Sequence, residues 1–67
     1  MKTAIDRAIE AAGSVQALAE RAGVSVPAVY FWRTGEREIS AESAIKLERA
    51  TGTPRAKFRP DLFGAVA

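Results

Sequence analysis

The sequence contains no cysteine and no histidine. Without cysteine a chain has no disulfide framework and no thiolate metal site, and without histidine it lacks the commonest metal ligand and general base. We therefore expect a protein that is not an enzyme and needs no metal or other cofactor. No apolar run approaches the roughly 18 residues of a membrane span, and the charged, periodic beginning MKTAIDRAIEAAG does not resemble a signal peptide. These features predict a cytoplasmic protein without a membrane partner.

The chain is also short and weakly charged. At 67 residues it is expected to form a single domain over residues 1–67, near the size at which dimerisation supplies needed stability. Residues 1–32 carry three basic and three acidic side chains and the remainder carries seven and five, which accounts for the net charge of +2. Arg55, Lys57 and Arg59 crowd together. A solvated tail and a patch facing phosphates both explain that run.

Serine and glycine divide the first half of the chain into three predicted helices. Apolar residues recur at helical spacing over residues 4–12. Ser14 then suits the N-cap of a second helix, VQALAERA, which Gly23 ends. Ser25 suits the N-cap of a third helix, in which Pro27 is tolerated because its missing N–H falls in the first turn. That helix is predicted to end near Gly35.

A fourth helix is predicted after Ser40, over AESAIKLERA, with its end at Gly52. The tail, residues 53–67, is harder to assign because Pro54 and Pro60 argue against a long helix. Its RAKFR stretch alternates polar and apolar residues, as a short edge strand does, and PDLF suits a single terminal turn. We expect an all-α fold of four to five short helices, with the C-terminal strand as an open alternative.

The junction of the second and third helices carries a helix-turn-helix pattern over residues 14–34. A small residue lies four positions before the turn glycine, an apolar residue follows that glycine, and two further apolar residues fall on the inner face of the third helix. The alternative is an ordinary corner between two helices of a bundle. The residues predicted to form the core of the motif are Leu18, Ala19, Gly23, Val24, Val29 and Trp32.

The segments GSVQALAERAGVSVPAVYFWRTG, AIKLERATG and RPDLF resemble the small prophage repressors of the Cro type and the related YdaS-like antitoxin group. The resemblance covers Gly13 to Phe63 and implies a lambda-repressor-like domain. It further implies a transcriptional regulator, most simply a repressor, that binds a pseudo-palindromic operator in double-stranded DNA as a homodimer. An antitoxin that binds DNA and a partner toxin, and a protein-binding helical adaptor, are the alternatives.

The chain departs from those families in two places. Relatives usually have glutamine at the first position of the second helix, where it contacts a phosphate, but this chain has Val15 there and Gln16 one place later. The third helix of relatives is commonly rich in serine and amides, whereas VSVPAVYFWRTG is apolar. Because a helix advances about 100° per residue, Tyr30 and Phe31 are predicted to lie on its outer half.

Three interpretations of that outer face are open. It can contact thymine methyl groups in the major groove, form a protein interface, or be covered by the tail. The residues predicted to contact bases are Val26, Pro27, Tyr30 and Phe31. The residues predicted to contact phosphates are Gln16, Ser25, Arg33, Thr34 and Arg37. For the two arginines, the alternative is solvated surface paired with Glu36 or Glu38.

The apolar part of the tail, RAKFRPDLFG, is the candidate dimer surface because it lies outside the motif. Its candidate residues are Phe58, Leu62 and Phe63. The tail is nevertheless expected to lie against the first helix, around Ile5 and Ile9, because the outer face of the third helix stays open in every relative that binds DNA.

Overall fold

Six helices follow one another in the computed structural model, which describes residues 3–64. They are α1 (Ala4–Ala12), α2 (Val15–Ala22), α3 (Val26–Thr34), α4 (Ala41–Thr51), α5 (Arg55–Phe58) and α6 (Pro60–Phe63). The predicted all-α fold is confirmed, and no strand occurs within residues 3–64. The number of helices exceeds the predicted four to five because the C-terminal segment folds into two single turns. Residues 1–2, and residues 65–67 of the predicted tail, lie outside the described residues.

The first four helices begin and end in the same way. Each starts after a serine or threonine whose hydroxyl oxygen accepts a backbone N–H of the first turn, as at Thr3, Ser14, Ser25 and Ser40. Each ends at a glycine with a positive φ, as at Gly13, Gly23, Gly35 and Gly52. The N-caps predicted at the three serines are therefore confirmed, and Thr3 adds a fourth.

The suggested strand over RAKFR is wrong, because residues 55–58 form α5 instead. A lone strand in this domain would have no partner for its backbone groups. The helical turn satisfies some of them internally, since the Arg59 N–H donates to the Arg55 carbonyl at 3.0 Å. It also places Phe58 in the core, where only 7% of that residue remains exposed. The predicted terminal turn over Pro60–Phe63 is confirmed as α6.

The second helix lies at the centre of the domain and packs against α1, α3 and α4. Leu18 on α2, Val29 on α3 and Leu47 on α4 are the largest fully buried side chains. Ala8 and Ala44 are also fully buried, and their small size lets the helices approach closely. Through α5, the tail packs against α1, as predicted, and also against α4. The outer side of α3 is thereby left clear of the tail.

Candidate nucleic-acid interface

The turn between α2 and α3 consists of residues 23–25. Gly23 has φ 71° and ψ 35°, a left-handed conformation that costs a side-chain-bearing residue free energy and costs glycine little. The N–H groups of Gly23 and Val24 both donate to the Ala19 carbonyl, Val24 at 3.0 Å. The Ser25 hydroxyl oxygen then accepts from the Ala28 N–H at 3.2 Å. The turn therefore fixes where α3 begins relative to α2.

Five of the six residues predicted to form the core of the motif are buried in the domain or pack against its core, whereas Gly23 is exposed in the turn. Leu18 and Val29 are fully buried and Ala19 is buried, while Val24 is half-buried and packs against that core. Trp32 is predicted to lie on the inner face of α3 as part of the core. It is half-buried, packs against the core, and lines an open cleft of about 340 Å³ between α3 and the tail.

The outer side of α3 presents an apolar surface with one prominent aromatic ring. Tyr30 is 48% exposed, and Pro27 and Thr34 are exposed beside it. Val26 lies on the flank, half-buried against the core. The advance of about 100° per residue therefore assigns these side chains correctly to the inner and outer sides of α3.

Phe31 differs from Tyr30 although both lie on the outer half of α3. Its ring is half-buried, and the guanidinium carbon of Arg37 lies 4.7 Å from the ring centroid. The Arg37 N–H also donates to the Phe31 carbonyl at 3.3 Å. Thr34 Oγ1 donates to the same carbonyl oxygen at 3.3 Å. Phe31 is thus joined to the loop after α3.

Arg33 points the other way along the surface, toward α1. Its Nε lies 3.7 Å from the Asp6 carboxylate, so its partner is neither Glu36 nor Glu38, the two partners considered from the sequence. Glu38 instead lies 3.7 Å from Arg59. A phosphate contact by Arg33 would compete with this ion pair, which is long and partly exposed.

The remaining predicted phosphate contacts lie around the motif. Gln16 is exposed in the first turn of α2, where free backbone N–H groups and the helix dipole favour an anion. Ser25 is exposed at the start of α3 but its hydroxyl already caps that helix. Thr34 is exposed at the end of α3. Together they lie at the ends of α2 and α3.

The tail does not cover Tyr30, so the interpretation in which Phe58, Leu62 and Phe63 fold over that ring is wrong. Phe58 is buried with Ile5 in the core beneath α1. Its burial also removes Phe58 from the accessible surface that a dimer contact needs. Phe63 is half-buried, with the guanidinium of Arg55 5.1 Å from its ring centroid. Only Leu62 of the three, 51% exposed, is freely accessible.

Two of the three basic side chains in the tail run form ion pairs within the domain, and Lys57 is exposed. Arg55 lies 3.6 Å from Glu48 on α4. Arg59 makes a bidentate pair with Asp61, at 2.9 Å and 2.6 Å, and donates to the Ile39 carbonyl at 2.6 Å. Arg59 therefore ties the tail to the loop before α4. Sequence reasoning missed this role, although the two-residue spacing to Asp61 was a visible signal for the pair.

The ion pair between Arg59 and Asp61 makes the stability of the fold depend on pH. The hydrogen bonds from Arg59 hold the pKa of the Asp61 carboxyl below its ordinary value, and the same pair raises the pKa of Arg59. A carboxyl with a lowered folded-state pKa stabilises the fold above its unfolded-state pKa, and that contribution disappears as the pH falls through the folded value.

We therefore expect Asp61→Asn to lower the thermal midpoint at neutral pH and to lose its effect in acid. The midpoint difference from wild type should shrink as the pH falls below about 4. Thermal melts followed by circular dichroism between neutral pH and strong acid measure it, with Glu36→Gln on the exposed loop as the control carboxylate. A difference that persists unchanged in strong acid contradicts the ion-pair explanation.

Residues 3–64 contain neither a candidate metal site nor a candidate membrane-spanning helix. No cluster of acidic side chains there has the geometry of a metal site. Within the same range, every helix is too short or too polar to span a bilayer.

Comparison with known proteins identifies a family to which the chain is similar. A family model described as bacterial toxin YdaS matches residues 5–67. No curated protein matches, and no solved structure matches.

Proposed function

The chain belongs to the bacterial toxin YdaS family, and on that premise we propose that it is a transcriptional regulator that binds a specific operator in double-stranded DNA through α2 and α3. The family associates it with toxin–antitoxin systems or prophage regulation. The resemblance to Cro-type repressors supports repression as the direction of control. Because the chain has no histidine and no cysteine, we propose that it acts by binding, without catalysis and without a cofactor.

One observation carries the proposal: α3 presents an exposed apolar face whose position is fixed by a structured turn. Tyr30 is 48% exposed, Pro27 is exposed on the same side of the helix, and aromatic side chains are enriched among the residues that anchor interfaces. The Gly23 turn and the Ser25 cap hold the first residues of α3 beside α2. The tail packs elsewhere, against α1 and α4. This is the surface that a helix-turn-helix inserts into the major groove.

The face suggests how bases are distinguished without amide side chains. Residues at the N-terminal end of a recognition helix contact base edges, and here those residues are Val26, Pro27 and Tyr30. Apolar groups identify thymine by its C5-methyl group, which no other base carries in the major groove. The Tyr30 hydroxyl adds one hydrogen-bonding group. Local DNA shape supplies further discrimination.

The affinity is assigned mainly to phosphates, as in most complexes of this kind. Gln16 and the free N–H groups of the first turn of α2 lie at one end of the motif, and Thr34 and Arg37 lie at the other. Arg33 can contribute after leaving Asp6, 3.7 Å away. A row of contacts on either side of α3 would fix its depth and orientation in the groove.

A homodimer on DNA completes the proposal. Two copies related by a two-fold axis would place their α3 helices about one DNA turn apart, so that the operator is a pseudo-palindrome. Leu62, 51% exposed on α6, is the apolar tail residue left for the contact between copies. Phe58 is excluded by its burial in the core.

Binding to duplexes selected from a random pool, and to the DNA upstream of the protein's own gene, tests this function. The logarithm of the binding constant should fall steeply and linearly with the logarithm of salt concentration, because phosphate contacts release counterions. Selected sites should show two related half-sites. Failure to bind any duplex at low salt contradicts the proposal.

The description of the family as a toxin supports a second candidate function, inhibition of cell growth. The resemblance to antitoxins implies the opposite role, with a toxin as the partner protein. Induced expression in a bacterial host, alone and together with the neighbouring genes, separates the two. Growth inhibition by wild type that Tyr30→Ala abolishes would assign toxicity to DNA binding. Growth inhibition that survives Tyr30→Ala would assign the toxicity to another surface. If this protein instead relieves growth inhibition caused by the product of a neighbouring gene, it is an antitoxin.

A further inference from the structure

We propose that Phe31 is a positioning residue, whose ring holds the guanidinium of Arg37 in place for a DNA phosphate. Phe31 would then act through Arg37 and would not contact a base itself. This inference rests on the proposed DNA-binding function and assigns base recognition and phosphate binding to different residues. Base recognition falls to Val26, Pro27 and Tyr30, while Phe31 and Arg37 form one phosphate-binding unit.

The geometry joins the two residues at two points. The Arg37 guanidinium carbon lies 4.7 Å from the centroid of the Phe31 ring, within the range of a cation–π contact. The Arg37 N–H donates to the Phe31 carbonyl at 3.3 Å, so backbone and side chain of Arg37 both return to Phe31. The flat guanidinium can stack on a ring and still direct N–H donors outward.

Phe31 is less exposed than its neighbour Tyr30. Tyr30 and Phe31 diverge by similar angles from the buried side of α3, but Tyr30 is 48% exposed while Phe31 is half-buried. Since Arg37 lies over the ring, a base edge could reach that face of Phe31 only by displacing the guanidinium. Displacement would remove a cation from the place where the negatively charged DNA arrives.

Arg37 is also the better available of the two arginines at the end of α3. Arg33 lies 3.7 Å from the Asp6 carboxylate on α1. By contrast, no carboxylate within residues 3–64 forms an ion pair with Arg37. Arg37 is exposed and has no carboxylate partner in the described part of the chain, while stacking on Phe31 restricts the position of its guanidinium. A guanidinium held in this way loses less conformational freedom on binding.

The place of Arg37 in the chain favours a phosphate over a base. It lies three residues beyond Thr34, the last residue of α3, whereas base contacts come from the N-terminal part of a recognition helix. The loop at the opposite end of such a helix lies nearer to the DNA backbone. A phosphate contact carries no sequence information, so its loss weakens specific and non-specific binding alike.

The salt dependence of DNA binding tests the unit. Arg37→Gln should reduce the slope of log binding constant against log salt by about 1, uniformly across sequences. Phe31→Leu, which keeps the charge and an apolar side chain but removes the ring, should reduce the slope at least half as much. Phe31→Tyr should restore wild-type behaviour because it restores a ring. In the Arg37→Gln background, Phe31→Leu should add little further loss.

The control is Arg49→Gln, which removes one exposed cation from α4, outside the motif, and should change the slope less than Arg37→Gln. If Phe31→Leu leaves the slope unchanged but alters the preferred base at one position, Phe31 contacts a base and the inference is wrong. If wild type binds no duplex, the proposed function itself fails and takes this role with it. If wild type binds DNA and the slope reductions of Arg37→Gln and Phe31→Leu simply add in the double variant, Phe31 does not act through Arg37. The inference is then wrong while the proposed function stands.

A measurement on the wild type covers the case in which Phe31→Leu does not fold. In the nuclear magnetic resonance spectrum, the Arg37 side-chain protons should be shifted upfield by the ring current of Phe31, and the Arg37 Nε signal should move on addition of duplex. Arg37 signals at ordinary positions, or unchanged by bound DNA, overturn the proposal.

Discussion

Leu18→Ala is expected to lower the free energy of unfolding by about 2–5 kcal/mol, the usual cost of truncating a buried leucine. Leu18 is fully buried on α2, the helix that packs against α1, α3 and α4, so few neighbours can move to fill the space. Small domains have total stabilities of only about 5–15 kcal/mol. Urea unfolding followed by circular dichroism measures the loss.

The matched control is Leu62→Ala, since Leu62 is 51% exposed on α6. The same truncation there should change stability by no more than about 0.5 kcal/mol. Equal losses at the two positions would contradict the core centred on α2. A loss at Leu62 that grows with protein concentration would instead locate the dimer contact on α6.

Tyr30→Ala is expected to weaken specific DNA binding by about 1–3 kcal/mol, the usual cost of losing recognition at one base pair of a specific site. The thermal midpoint should stay close to that of wild type because the ring is 48% exposed. Affinity for unrelated duplexes should change much less, since phosphate contacts dominate there. Titrations of a selected site and a scrambled site measure both. A large loss of stability, with no change in the ratio of the two affinities, would show that Tyr30 has a structural role.

Two comparisons separate the parts of the Tyr30 contact. Tyr30→Phe removes only the hydroxyl and tests its hydrogen bond to a base or phosphate. Replacing thymine by uracil in the selected site removes only the methyl groups, and the resulting loss should be smaller in Tyr30→Ala than in wild type. Equal losses in the two proteins would mean that Tyr30 does not contact a thymine methyl group.

The helix boundaries were predictable because their causes are local. Ser14, Ser25 and Ser40 cap helices through their own first turns, and Gly23 ends α2 through its own backbone conformation. The same holds for the inner and outer sides of α3, since a helix repeats every 3.6 residues. Fully buried Val29 and exposed Tyr30 lie where that repeat places them.

The contacts that the sequence did not reveal join residues far apart in the chain. Asp6 and Arg33 meet because α1 packs beside α3, and no local rule pairs them. Arg59 reaches the Ile39 carbonyl at 2.6 Å across 20 positions. The strand suggested for RAKFR failed for the same reason, because burial of Phe58 against α1 and α4 outweighs the alternation of polar and apolar residues.

Mapping of the DNA-bound surface by nuclear magnetic resonance tests the central claim, that the outer face of α3 enters the groove. Titrating labelled protein with a selected duplex should shift the signals of Val26, Tyr30 and Arg37 first and most strongly. The signals of α5 should change little or only through dimerisation. Shifts confined to the tail, with α3 unaffected at saturating duplex, would contradict the account.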